Sequence, residues 1–293
     1  MRGTASSNLP LRRKVQWASL FLTNAYFLTA FRAGLCPGLN CYMCPAATFM
    51  CPIGIIVQSM TAAVVPLMAI GILALIGAAV GRLACGWICP FGLLQELMYK
   101  IRSRKIELAP VLSYTRYAAL AVLVIAVPLI VRAQDHWAYY CSLCPVATAE
   151  STLPAMVGHA IYPHLSERAR QTVDERSFMT PQEEPRSYFY LAMTDFKYNP
   201  MVAVKLGILI AVLVMMVFIK RPFCRMFCPL GAIWSFFNQA SWLRFRLRFA
   251  SCPSCDNCKE MCPVDIRVSD KLNSAECIRC LDCLDCGGVH TTT

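Results

Sequence analysis

Near the C-terminal end of the chain, the run Cys252-Pro-Ser-Cys255-Asp-Asn-Cys258-Lys-Glu-Met-Cys262-Pro263 sets three thiols at CxxCxxC spacing and a fourth after three further residues, before a proline. Three thiolates at that spacing can wrap one corner of an iron-sulfur cube, and the fourth points away to a second one. A second run, Cys277-Ile-Arg-Cys280-Leu-Asp-Cys283-Leu-Asp-Cys286, follows. Each run would then supply its last cysteine to the other's cluster, giving Cys252, Cys255 and Cys258 with Cys286, and Cys277, Cys280 and Cys283 with Cys262. Cys286 departs from the pattern, coming one residue early and preceding Gly287 rather than proline. Paired zinc knuckles are the competing chemistry, but zinc has no use for the third closely spaced cysteine of each run.

Ten more cysteines lie upstream, and eight of them form pairs that echo one another. Cys41-Tyr-Met-Cys44-Pro-Ala-Ala-Thr resembles Cys141-Ser-Leu-Cys144-Pro-Val-Ala-Thr, and Cys85-x3-Cys89-Pro-Phe-Gly resembles Cys224-x3-Cys228-Pro-Leu-Gly. No pair can complete a cluster alone, but two copies related by a pseudo-twofold axis supply four thiolates. The repeat predicts an inner site of Cys85, Cys89, Cys224 and Cys228 and an outer site of Cys41, Cys44, Cys141 and Cys144. Cys36 and Cys51 are left over as a disulfide, extra ligands or inert thiols. A rival partition makes Cys36, Cys41, Cys44 and Cys51 one local cluster and leaves Cys141 and Cys144 as a redox dithiol. Proline after the second cysteine of each pair suits the first turn of a helix, where exposed N–H groups and the helix dipole stabilise an anionic sulfur.

The elements that must position these thiols are apolar. Hydrophobic residues make up 57% of the chain and charged residues 15%, which describes a membrane protein. Spans are expected over about 15–31, 55–80, 112–131 and 201–219, the third kinked at Pro128. Arg116, Arg132 and Lys205 lie near span ends and can snorkel. Most of the net charge of +11 is matched by Arg2, Arg12, Arg13, Lys14, the group Lys100, Arg102, Arg104 and Lys105, and Lys220 and Arg221, all beside spans on one side; nucleic acid is not needed to explain it. Those clusters place the N-terminus, the inner cysteine pairs and the C-terminal runs in the cytoplasm, with residues 133–200 as an outer loop. Leu243-Arg-Phe-Arg-Leu-Arg-Phe249 alternates with the period of a strand, its arginines facing solvent, a partner or anionic lipid.

Other chemistries are weaker. His136, His159 and His164 all fall in the outer loop, away from the spans where axial haem ligands would stand. Trp87, Trp234, Arg116 and Gln95 are candidates for a quinone pocket near the inner site. There is no phosphate-binding glycine loop, carboxylate pair or nucleophile elbow.

The CGWICPFG and FCRMFCPLG segments, followed by the two-cluster tail, resemble the NapH/MauN-type membrane polyferredoxin family over most of residues 15–286. The resemblance implies electron transfer, in several members as quinol-oxidising partners of a reductase or dehydrogenase; the outer CPGLNCYMCP segment is not part of that pattern. The expectation is thus a mainly α membrane protein. Its four-helix transmembrane bundle, residues 15–240, consists of two pseudo-repeats (15–110 and 111–240) after a basic tail of residues 1–14. A bacterial-type two-[4Fe-4S] ferredoxin domain over 241–293 completes the chain. The expected cofactors are two [4Fe-4S] clusters in the tail, one or two further iron-sulfur clusters in the helical part, and a quinone as a further candidate. The expected function is a multi-pass electron-transfer subunit of the cytoplasmic membrane, lodged in lipid and serving a redox partner or larger oxidoreductase complex. The alternative is a redox-active assembly or regulatory protein for another metalloenzyme.

Overall fold

The structure, a computed structural model, describes residues 8–23, 51–132, 137–149, 200–247, 257–267, 271, 273–286 and 289–292. It is predominantly α-helical. Helix α1 (Asn8–Thr23) is followed by α2 (Ile53–Thr61), α3 (Leu67–Val80), α4 (Leu83–Trp87) and α5 (Pro90–Tyr99). One helix was expected where α2 and α3 stand. Pro66 accounts for the break: it has no amide hydrogen and keeps the preceding residue out of helical geometry. Ala63 takes up the turn at a φ of 54°. The α3 helix ends on Gly81, at a φ of 58° and with its N–H on the Gly77 carbonyl, as glycine-terminated helices do.

Helix α6 (Pro110–Val131) has 22 residues and rises about 33 Å, enough to cross a hydrocarbon layer of about 30 Å. Its middle, Leu120–Ala126, is wound as a π-helix just before Pro128, so the expected proline irregularity is a widened turn on its N-terminal side. Two short helices, α7 (Tyr140–Leu143) and α8 (Pro145–Ala147), precede the long α9 (Pro200–Phe218). Among the described residues, α6 and α9 are the two helices long and apolar enough to span a bilayer, and their apolar windows are only 17% and 22% buried. Of the four expected spans, the third and fourth are of spanning length among the described residues. The α3 helix is too short, and α1 starts at Asn8 with Arg12 and Gln16 buried in protein. Residues 24–31 of the expected first span lie outside the described residues.

After α10 (Pro222–Met226) and α11 (Pro229–Phe237), strand β1 (Arg244–Leu247) pairs antiparallel with β2 (Val289–Thr292), Phe245 opposite Thr291. The expected alternation is present, with Phe245 buried and Arg244 and Arg246 exposed. Between the strands come α12 (Asn257–Met261) and a 3-10 turn, Asp282–Cys286. One hydrophobic core runs from Ile53, Leu73 and Val124 through Phe91, Phe223 and Trp234 to Val264, Ile266 and Ile278. The tail is thereby packed onto the helical region.

Gly81 sits where this packing is tight. An added Cβ there would meet the Asn238 Oδ1 at 2.5 Å, on a backbone that L side chains rarely adopt, whereas Gly71 on the same helix meets nothing within 4 Å. Gly81→Ala is expected to destabilise by about 2 kcal/mol. Gly71→Ala should be neutral or stabilising by up to about 1 kcal/mol. Thermal unfolding of the two variants in detergent checks this.

Candidate metal centre

Cys89, Cys144 and Cys228 share one local design. Each has extended backbone (φ/ψ −65/113°, −68/123° and −73/110°) and caps a helix whose first residue is Pro90, Pro145 or Pro229. Proline favours both features, disfavouring helical geometry at the preceding residue while suiting the first turn of the next helix. The Cys228 sulfur accepts the Gly231 N–H at 3.4 Å.

The four cysteines expected at the inner site come together. Cys85, Cys89, Cys224 and Cys228 border one apolar cavity of about 450 Å3, walled by residues such as Phe91 and Trp234. Cys144 and Cys51 border the same cavity. Cys144, expected at an outer site, is thus placed beside the inner four: Tyr140, a hydrogen-bond neighbour of the Cys144 thiol, donates its hydroxyl to the Phe227 carbonyl at 3.1 Å, tying the CxxCP turn to the segment that holds Cys228. Cys141 is buried nearby. Cys36, Cys41, Cys44, His136, His159 and His164 lie outside the described residues.

Two arginines that the reading of the cysteine pairs passed over hold this site. Arg82 stands three residues before Cys85, and Arg221 three before Cys224. The side chains cross. Arg82 Nη2 donates to the Cys224 carbonyl at 3.2 Å, and Arg221 Nη1 donates to the Cys85 carbonyl at 3.0 Å. Gly231 leaves room for the first and Gly92 for the second; a Cβ would approach the guanidinium nitrogens at 3.0 and 3.2 Å. The repeated unit is therefore Arg-x2-Cys-x3-Cys-Pro-x-Gly, and its identical spacing in both halves was the available signal. Of the residues considered for a quinone, Gln95 serves the thiols, donating to Cys224 Sγ at 3.0 Å while accepting the Phe223 N–H at 3.1 Å. Trp234 lines the cavity and donates to the Leu73 carbonyl.

In the tail, Cys262, Cys277, Cys280 and Cys283, expected to share one cluster, border a second, small apolar cavity together with Cys258. The intervening Arg279 and Leu281 have left-handed backbone, φ 52° and 68°. Burial pushes the Cys262 thiol up to about 11 against the backbone N–H groups of Ile266 and Val264. Burial, then the neighbouring Cys277 and Cys262, pushes Cys283 to about 12. These thiols give up their protons only to a bound metal. Cys252 and Cys255 lie outside the described residues, and Cys286 is placed by its backbone alone, in the 3-10 turn.

The two cysteine sites meet through the backbone. Gly86, between Cys85 and Cys89, lies so close to the tail that an added Cβ would stand 2.5 Å from the Ile278 carbonyl and 3.5 Å from the Cys280 Cα. Arg82 also donates to the Ala275 and Glu276 carbonyls at 2.8 and 3.2 Å. Asn238 donates to the Ser274 and Cys277 carbonyls at 2.9 and 2.6 Å. From the tail side, Arg225 and Lys220 face Asp265, and Arg12 pairs with Asp282 and Glu96.

The charge around these sites tests whether an iron-sulfur cluster fits. Arg12, Arg82, Arg116, Arg221, Arg225 and Arg279 are all buried. Arg82 Nε, Arg279 Nε, and both Nε and Nη1 of Arg116 have no hydrogen-bond partner. Buried cations left short of partners cost several kcal/mol each, and a thiolate-bound cluster of net negative charge would compensate them. Among the described residues no three His, Cys, Asp or Glu side chains converge on a position sized for one ion. Cys85, Cys89, Cys224 and Cys228 border a cavity of about 450 Å3, which has room for a multi-atom core.

The family of 4Fe-4S binding domains matches the chain at residues 61–109 and again at 203–250. A 4Fe-4S binding domain is present. Each match on the 4Fe-4S binding domain contains one Arg-x2-Cys-x3-Cys-Pro-x-Gly unit, so each supplies one pair of the four inner cysteines. The chain is also similar to two uncharacterized proteins of Methanocaldococcus jannaschii. It is 30% identical to MJ0750 over 210 residues, which cover 68% of this chain and 66% of that protein. To MJ0749 it is 24% identical over 209 residues, covering 68% and 58%. The chain thus spans less than two thirds of either relative. No solved structure matches it.

Two substitutions separate holding a cluster from docking the tail. Arg221→Gln removes a crossed guanidinium and is expected to lower iron and acid-labile sulfide by about one cluster per chain. Gly86→Ala should leave iron content near the parent value while weakening the magnetic coupling between reduced centres, read as sharpened lines in low-temperature EPR.

Proposed function

We propose that the chain is a membrane-bound electron-transfer subunit in which an iron-sulfur site of the helical region passes electrons to or from clusters of the C-terminal tail. The backbone contact of the Cys85–Cys89 turn with the Cys277–Cys280 turn carries this reading, because it removes intervening side chains and water from the route. Cys85, Cys89, Cys224 and Cys228 would hold one [4Fe-4S] cluster, Cys262, Cys277, Cys280 and Cys283 a second, and Cys252, Cys255, Cys258 and Cys286 a third. Cys51 and Cys144, with Cys41, Cys44 and Cys141, are the donors for a further one. When bound, such clusters supply one-electron transfer at potentials set by hydrogen bonds to sulfur, local charge and solvent exposure.

The chain's own residues set those three quantities. Gln95 donates to a ligand sulfur, the crossed arginines supply positive charge, and the apolar walls exclude water. A multi-pass arrangement with the tail on the cytoplasmic side is supported by the two apolar helices and by Lys100, Arg102, Arg104, Lys105 and Lys220 at one end of them. The NapH/MauN-type resemblance adds a quinol pool or an enzyme complex as the partner.

The pseudo-twofold arrangement makes a specific demand. Cys85→Ser and Cys224→Ser are expected to abolish the same EPR signal and to leave those of the tail, whereas Cys277→Ser removes a different one. If Cys85→Ser left every cluster signal intact, the inner site would be withdrawn. If defects were confined to maturation of another metalloenzyme, with no turnover by a quinol analogue, an assembly role would replace the relay.

A further inference from the structure

The arginines of β1 take no part in either cysteine site. They line a separate groove of about 530 Å3, formed where the chain leaves α11 and crosses the end of α3, a volume within the range of about 300–1,000 Å3 common for ligand sites. The crossing is fixed by hydrogen bonds: the Trp242 and Leu243 amides donate to the Ala78 and Ala79 carbonyls at 2.8 and 3.3 Å. One wall is apolar, from Leu75, Ala78 and Ala79, and the other carries Arg244 and Arg246, with no Asp or Glu among the lining residues. Arg244 is aimed by its Nε on the Ser241 carbonyl at 3.3 Å. Phe245 between the arginines is buried, which fixes both on the outer face.

The surroundings of the groove are ordered in one direction. Along α3, Leu67, Met68 and Leu75 are 76%, 73% and 72% exposed, and Trp242 at the groove's edge is 79% exposed. From Leu67 to Ala79 the helix rises about 18 Å, close to the half-thickness of a hydrocarbon layer of about 30 Å. An apolar track of one leaflet's depth thus leads to an aromatic ring and then to two guanidinium groups. A phosphodiester with acyl chains has the same order of parts: chains against the track, glycerol near the interfacial tryptophan, phosphate on the arginines. A nucleic acid or an acidic peptide would match the arginines but leave the apolar track uncovered.

We propose that this groove is a binding site for one anionic phospholipid, with Arg244 and Arg246 taking the phosphate. The site rests on the membrane reading of the chain given above. The test places the full protein in nanodiscs containing brominated phosphatidylglycerol or brominated phosphatidylcholine and follows quenching of Trp242, assigned by difference from Trp242→Phe. Quenching should occur at about tenfold lower mole fraction of the anionic lipid. The preference should vanish in the double variant Arg244→Gln, Arg246→Gln and persist in Arg244→Lys, Arg246→Lys, with iron content unchanged in both. Equal quenching by the two lipids in the parent protein, or a preference that survives in the glutamine variant, would overturn the site while leaving the membrane reading intact. Failure of the parent protein to enter either nanodisc would overturn both.

Discussion

Buried positive charge set against buried sulfur is the constraint from which the rest of the structure follows. Six arginines are removed from water within one small protein, and the carboxylates paired with them, Glu96, Asp265, Glu276 and Asp282, are fewer. Such an interior is unstable without an anion. Cysteine thiols become that anion only when metal displaces their protons, so loading of the sites and stability of the fold are one equilibrium. The arginines also explain why the cysteine turns can be buried: the guanidinium groups of Arg82, Arg116, Arg221 and Arg279 satisfy carbonyls that would otherwise lack a donor.

The crossed arrangement of Arg82 and Arg221 has a second consequence. Each arginine belongs to one repeat and binds the other, so neither half completes its own cysteine turn. The two copies of this duplicated unit are held together by reciprocal hydrogen bonds. Gly92 and Gly231 are required there because the partner's guanidinium occupies the space beside them.

The tail is fastened by the same groups. Arg82 spans from the Cys224 carbonyl to those of Ala275 and Glu276, and Asn238 and Arg279 tie the end of α3 to the Ser274–Cys277 turn. A ferredoxin-like tail hung on a flexible linker would exchange electrons by collision. This one has its cysteine turn seated on glycine backbone, a geometry suited to a fixed electron path.

How much of this was legible beforehand depends on how local the cause was. The cysteine spacings, the proline after each pair and the alternation of β1 are written in adjacent residues, so the helix starts under Cys89, Cys144 and Cys228 and the pairing of the two halves could be read directly. Pro66 was equally local, yet the apolar run around it masked the break between α2 and α3. The placement of Cys51 and Cys144 beside the inner four was not legible, because it depends on a hydrogen bond between Tyr140 and Phe227, 87 residues apart. Nor was the use of Arg82 and Arg221, which look like membrane-flanking charges until the fold turns them inward. The sequence by itself determined which atoms could bind iron and in what groups, since that chemistry depends on residue type and short spacing. Only the tertiary structure decided which groups face one another and what compensates their charge, since both are set by contacts between segments that the chain brings together last.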